Sequence, residues 1–425
     1  MERIIRLYFF IFITTQALFS QTISLQEAIV ATLESHPDAK IALSLLEKSR
    51  ANLGVTQALR HPEIMLNGDY FPTKTLVMPS NGTFATRDSS TSHIDVTVTY
   101  TLWDFGRSSE RINAAMYEND ASLSLHENAK AILIEKVWQA YYSLAYLHRL
   151  ITTTEHSLAF YQALYDQATH LRHSGIKTQI DEERFYASLL EAKDTLAIAH
   201  SEEQKSLQIL SLLTALPLES IVIEDDFEAL SVTTMPLLSE EKWRKLLMEH
   251  NTELSALAFK IKQSESLHVS ASLEKYGTIS AVASTGYDDS LSSYNSKQIG
   301  IKASIPLYTG GKLSHQEEKD RVVILTSKEE LRSRELALWQ ELYGNIQDLK
   351  QLDATIKAKE AVAHSLAKAI LIIKGRYAQG LATYIEVLEA QMAYDNACTS
   401  QNKAMLQKIS SLANIHRLIP KGLTL

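Results

Sequence analysis

Proline and glycine are scarce where they matter most. The eight prolines in 425 residues all lie outside two long stretches, from about Ser80 to Leu216 and from Leu307 to Ile419. Gly175 is the only glycine between Arg107 and Leu216. These two residue types cost a helix interior most, so their absence permits very long helices. Cysteine is nearly missing too. Cys398 stands alone, which excludes an intramolecular disulfide, and a single Cys on a helix is ordinarily a packing residue. Beyond the first twenty residues no apolar run approaches the length of a spanning helix, so any passage through a membrane must be made by strands. A net charge of −8 leaves no basic stripe for a nucleic acid. There is no Ser-His-Asp order with a local signature, no phosphate loop and no paired-Cys motif, and the reading is not an enzyme. His170 and His173, with His148 and His156 upstream, offer too few ligands for a closed site, so neither a metal nor a cofactor is expected.

The start of the chain is of another kind. Arg3 and Arg6 precede an apolar run from Leu7 to Ile13, then Thr15, Gln16 and Ala17. A basic start, a short apolar centre and small residues describe a secretory signal peptide over 1–20, cut after Ala17 or Ser20.

What is present is a long seam, written twice. Val137, Leu144, Ile151, Leu158 and Tyr165 recur every seven residues, with Ala140, Leu147, Thr154, Tyr161 and Ala168 between them. This 3-4 spacing predicts helices packed as coiled coils. A shift of 205 carries Trp103-Asp104-Phe105-Gly106-Arg107 onto Tyr308-Thr309-Gly310-Gly311-Lys312, Gly175 onto Gly380 and Thr178 onto Thr383. It also carries Leu144, Ile151 and Tyr165 onto Leu349, Ile356 and Ile370. An ungapped internal repeat follows: a first unit over 21–216 with a β-hairpin at 63–103 and long helices at 107–215, a linker at 217–238, and a second unit over 239–425 with a hairpin at 277–308 and long helices at 312–419.

Ahead of each helical stretch, residues alternate with period two. Ile94, Val96, Val98, Tyr100 and Leu102 alternate with Asp95, Thr97, Thr99 and Thr101, over the length of a membrane-crossing strand. Ile64, Leu66, Gly68 and Tyr70 form a partner strand, with polar Thr73–Ser92 read as an exposed loop between them. In the second unit Ile279, Ala281, Ala283 and Tyr287 alternate in one strand and Ile299, Ile301, Ala303, Ile305 and Leu307 in the other, around a loop at Asp288–Lys297. Four strands cannot close a barrel, whose smallest form has eight, and open edges are not tolerated in lipid. The subunit must therefore oligomerise. A dimer would supply eight strands and a trimer twelve.

Four segments carry a family resemblance: Ile23-Ser24-Leu25-Gln26-Glu27-Ala28, Leu102-Trp103-Asp104-Phe105-Gly106-Arg107, its counterpart Ile305 to Lys312, and Tyr377-Ala378-Gln379-Gly380-Leu381-Ala382-Thr383-Tyr384-Ile385-Glu386-Val387-Leu388-Glu389-Ala390-Gln391. In these the chain resembles the TolC-type outer-membrane efflux family over nearly the whole mature sequence. The resemblance implies a mainly α fold with a small β part, in which a long antiparallel coiled-coil α-helical barrel joins a 12-stranded β-barrel built from four strands per subunit of a homotrimer. It implies a passive channel of a tripartite efflux or type I secretion system in the outer membrane. The partners it implies are a periplasmic adaptor (membrane fusion) protein, an inner-membrane pump and outer-membrane lipid. The alternative is a periplasmic coiled-coil adaptor or scaffold, which would show one helical hairpin between β-rich domains.

The resemblance also points to the tips beyond Gly175 and Gly380. Glu386 and Glu389 are three apart on one helix face and would form acidic rings in a threefold pore. Asp181 matches a gate-network acid, and Tyr377 matches an aperture tyrosine. One departure stands out: the family's gate arginine, two residues after the glycine, is Ala382 here, and Lys177 holds the corresponding point of the first unit.

Overall fold

The computed structural model describes residues 22–80, 83–224, 227–232, 236, 238–290 and 292–420. The expected signal segment lies outside them, as do parts of the linker. The fold is mainly helical, with a small antiparallel sheet. In chain order its elements are β1 (Thr22–Ile23), α1 (Leu25–Ser35), α2 (Pro37–Gln57), β2 (Glu63–Ser80), β3 (Thr83–Trp103), α3 (Arg107–His173), α4 (Gln179–Thr214), β4 (Val222–Ile223), α5 (Phe227–Val232), α6 (Glu240–His250), α7 (Thr252–Leu273), β5 (Thr278–Asp289), β6 (Ser293–Ser304), α8 (Lys312–Ala378) and α9 (Tyr384–Leu418). Helices α3 and α8 each have 67 residues, about 100 Å at 1.5 Å per residue. Among the described residues no helix is both long and apolar enough to cross a membrane.

Two compact units divide the chain. One gathers residues up to 41, 127–251 and 337 onward; the other holds 42–126 and 252–336. In the first, Val137, Leu144, Ile151, Ala168, Leu349, Ile356 and Ile370 are buried, so the seven-residue seam is the packing seam. The buried Tyr141 hydroxyl donates to the Ile23 carbonyl and accepts from the Glu224 N–H, which ties it to the parallel β1–β4 pair. Nearby, Trp138 stacks on His416, while Arg417 pairs with both Glu135 and Glu341.

The second unit contains a single four-stranded sheet in the order β2-β3-β5-β6. Its two hairpins, far apart in sequence, meet through β3 and β5. Register then sorts the side chains by face. Ile64, Val98, Ala283 and Ile299 form one cross-strand row, and Tyr100, Ala281 and Ile301 extend it. The opposite face carries rows such as Met65–Thr97–Ser284–Gln298 and Asn67–Asp95–Gly286–Ser296. On that polar face His93 contacts Asp288 at 2.8 Å and Asp95 at 3.0 Å, bridging the two hairpins. The apolar face lies open in the lone chain: Ile64 is 68% exposed and Ile299 89%. Trp103 at the end of β3, and Leu307 and Tyr308 beyond β6, are also exposed.

Two loop expectations are corrected here. Thr73–Ser92 is strand, not loop: β2 runs to Ser80, β3 starts at Thr83, and their pairing continues throughout. This ribbon extends beyond the last β3–β5 pair, Ser92 with Asp289, so neither face has an apolar layer to meet. Its many Ser and Thr residues do not indicate irregular backbone. A register shift between Phe71 and Lys74 falls at Pro72, which has no N–H for the ladder. Likewise most of Asp288–Lys297 is paired, as β5 extends to Asp289 and β6 begins at Ser293.

Ile64→Arg or Ile299→Arg places a cation on the apolar face, which in a bilayer should cost the inserted sheet about 2–4 kcal/mol near mid-depth. Gln298→Arg, one residue along on the polar face, should be tolerated. Urea titration of the assembled protein in lipid measures the difference, and equal losses for all three would show that the two faces are not in different media.

Candidate functional site

The helix pairs α3–α4 and α8–α9 each turn at a glycine, and the two turns are built alike. Gly175 and Gly380 have φ of +73° and +75°, a conformation that favours residues without a Cβ. At the first, the Gly175 N–H donates to the Arg172 carbonyl and the Ile176 N–H to that of Leu171; at the second, the Gly380 N–H reaches Tyr377 and the Leu381 N–H reaches Arg376. This is the left-handed helix-stop motif, and it satisfies carbonyls that the helix end leaves without partners.

Three residues later each chain re-enters a helix through a reciprocal cap. The Thr178 hydroxyl accepts from the Asp181 N–H, while Asp181 accepts from the Thr178 N–H; Thr383 and Glu386 do the same. This Thr-x-x-Asp/Glu arrangement is a capping box, legible in the sequence but missed there in favour of a pore role for the acids alone. The bonds from the Thr383 backbone and hydroxyl hold the Glu386 carboxyl below the usual carboxylate range. Glu386 and Glu389 are exposed, whereas Asp181 is buried. The three expected acids therefore do not share one surface.

Between the two turns lies an aromatic core. Tyr161, Leu164, Ala168, Phe185, Leu189 and Ala192 from the first helix pair pack with Tyr377, Ala382 and Val387 from the second. Tyr377 is fully buried, and its hydroxyl has no hydrogen-bond partner among the described residues. Burial, reinforced by the Asp181 charge, pushes that hydroxyl up to about 12. Phe185 meets the Tyr377 ring at 5.6 Å, nearly edge to face. Lys177 does engage the position that departs from the family: its Nζ donates to the Ala382 carbonyl at 3.5 Å and lies 4.8 Å from the Tyr377 ring centre. On the first tip, Arg172 pairs with buried Glu182 at 2.5 Å, and the Thr169 hydroxyl donates to the same carboxylate. Among the described residues no cluster of three or more His, Cys, Asp or Glu could hold a metal ion.

Comparison with known proteins gives this geometry its context. The family model described as "Outer membrane efflux protein" matches residues 28–216 and 243–419. A membrane protein from Pseudomonas aeruginosa superposes with a TM-score of 0.79 at 18% identity over 93% of each chain. The outer membrane protein VceC from Vibrio cholerae does so at 0.79 and 19%, over 93% of this chain and 96% of that one. The MtrE outer membrane channel of Neisseria gonorrhoeae gives 0.76 and 18%, over 94% and 89%. At such identities the likeness is one of fold. In sequence, the toxin and drug export protein A of Aggregatibacter actinomycetemcomitans is 27% identical over 136 residues, which span 32% of this chain and 29% of that protein.

Removing the caps tests their worth. Thr178→Ala or Thr383→Ala should each destabilise by about 1 kcal/mol in chemical denaturation. The folded-state pKa of Glu386 is depressed, so its contribution is full above the ordinary value of 4.5 and is lost as pH falls below it. The Thr383→Ala deficit should accordingly shrink in acid; because alanine keeps the backbone N–H, a deficit constant from neutral pH down to about 3 would exclude the hydroxyl–carboxylate bond from the cap.

Proposed function

The chain belongs to the outer membrane efflux protein family, and from that premise we propose that it is the channel component of a tripartite efflux or type I secretion system, a passive trimeric duct from periplasm to exterior. Membership of the family makes it an outer-membrane transport protein and not an enzyme. The observation that carries the finer reading is the open four-stranded sheet with one apolar face. Edge strands β2 and β6 have no further partner strand among the described residues. Three copies would close a 12-stranded barrel and leave no edge facing lipid. The exposed Trp103 and Tyr308 suit the aromatic girdle of such a barrel.

The long helices α3, α4, α8 and α9 then form the periplasmic conduit, and the glycine tips form its inner end. Glu386 and Glu389, exposed and three apart, supply two acidic rings that attract cations at the constriction. The cap holds Glu386 ionised, which suits that duty. Asp181 contributes from the first repeat as a buried acid behind the ring, and Tyr377 lies at the aperture between Gly175 and Gly380. Energy and much of the selectivity come from the partners, an inner-membrane pump joined through a periplasmic adaptor. The partly matching relative is named for toxin and drug export, which supports an export duty.

Fractionation separates this reading from a coiled-coil adaptor or scaffold. The protein should sediment with outer membranes as a trimer, and recovery in the soluble periplasm after mild lysis would overturn the barrel. In planar bilayers, Glu386→Gln with Glu389→Gln should lower cation preference severalfold. Glutamine can still complete the capping box, so the helix start survives while the charge is lost. Unchanged ion selectivity would remove both acids from the pore.

A further inference from the structure

Away from the glycine tips, a cavity of about 310 Å³ lies where α3, α4 and α9 meet, and its walls all belong to the same compact unit. Asp395, half-buried on one wall, stands eleven residues after Tyr384 in α9, about 16 Å along the helix. Its Oδ1 accepts from the Ser157 hydroxyl at 2.7 Å and from the Gln391 amide at 2.8 Å. Among the described residues its Oδ2 has no hydrogen-bond partner, and no cation pairs with the carboxylate. Glu191 on α4, exposed at the mouth, adds a second acid, and no Lys, Arg or His lines the cavity. Deeper in, Tyr161 is only 7% exposed, yet its hydroxyl makes no hydrogen bond among the described residues.

We propose that this cavity binds a small organic cation, one with an ammonium or guanidinium head on a short apolar stem. The walls ask for a guest that donates. The hydroxyls of Thr153, Thr154 and Thr195 each give their one proton to a carbonyl a turn back on their own helix. What they leave towards the cavity is oxygen lone pairs, beside a carboxylate whose Oδ2 is free. A charged N–H head satisfies these acceptors and supplies the countercharge that the wall lacks. Leu150, Ala192, Met392 and the Tyr161 ring provide apolar surface for the stem, as small-molecule sites commonly do around a few placed polar groups. The titratable neighbours of Asp395 are Tyr161 from α3, Glu191 from α4, and Tyr394 and Cys398 from its own helix, none of them a cation. Burial already raises the Asp395 carboxyl, and a bound cation offsets that cost. Every wall comes from one chain, so the site does not depend on the trimeric reading.

Calorimetric titration of the purified full-length protein tests it, with 2-phenylethylammonium as the probe. Its uncharged counterpart 2-phenylethanol, and tetramethylammonium, which has charge but no donor, should both bind at least about tenfold more weakly. Asp395→Asn keeps an acceptor for Ser157 and Gln391 but loses the charge, and should weaken the probe about tenfold. Glu191→Gln at the exposed mouth should weaken it about threefold. Because the Asp395 carboxyl is raised, affinity should be full at neutral pH and fall as pH drops through that raised value. Glu191→Gln should keep this fall and Asp395→Asn should lose it. No binding of the probe at millimolar concentration, equal affinity for the alcohol or for tetramethylammonium, or unchanged affinity in Asp395→Asn overturns the site. If Asp395→Asn does not fold, unchanged affinity in Glu191→Gln overturns it instead.

Discussion

Hydrocarbon offers no partner to a backbone N–H or carbonyl, and each one left bare there costs several kcal/mol. That constraint governs the sheet. In the proposed barrel its apolar row, Ile64–Val98–Ala283–Ile299, lies against lipid, yet β2 and β6 each present an edge. A sheet that faces lipid with two edges is an incomplete object, and the proposed trimer completes it from other copies. The dependence reaches back to the β3–β5 junction. A slip of one residue there would move the apolar set of one hairpin to the polar face. His93, held between Asp95 and Asp288, gives the junction a polar register mark that a slipped pairing would lose.

The helical part is governed by a humbler constraint, the unsatisfied groups at helix ends. Helices of 67 residues bury their seam easily, but each must stop and reverse within a few residues. Both reversals use the same devices: a left-handed glycine, a pair of N–H groups returned to the last carbonyls, and a Thr-x-x-acid cap. A third cap of this kind, Ser24 with Glu27, opens α1. Two of the segments that carry the family resemblance are thus largely instructions for ending and starting helices. An acid within such a motif has a local duty before it has any other, and the pore role proposed for Glu386 is additional to its place in the cap.

This explains which features could be read in advance. Helix length followed from missing proline, with scarce glycine in the first unit, and the buried seam followed from Val137, Leu144 and Ile151, because both are local or periodic properties. The strand faces followed from strict alternation at Ile94–Leu102. The ribbon at 73–91 did not, because a two-stranded extension beyond the four-stranded sheet has no apolar layer to enforce alternation, and its few apolar residues, such as Leu76 and Val77, show no period of two. At the tips, the sequence located Gly175, Gly380, Tyr377 and the acids but not their arrangement. Burial of Asp181 beside exposure of Glu386 arises from packing between the repeats, and equivalent positions in a repeat carry no record of which one will face inward.

The same packing bears on Ala382. In a doubled unit, positions 205 apart are equivalent, and Lys177 and Ala382 are such a pair. They touch because equivalent segments of the two tips pack against each other across the aromatic core. A contact between facing equivalents can be supplied from either side: a cation absent from position 382 can come from position 177 and still bridge the repeats. From position 177 the lysine faces Tyr377 and a backbone carbonyl. With a ring as acceptor, the bridge adds no second buried charge whose desolvation must be offset.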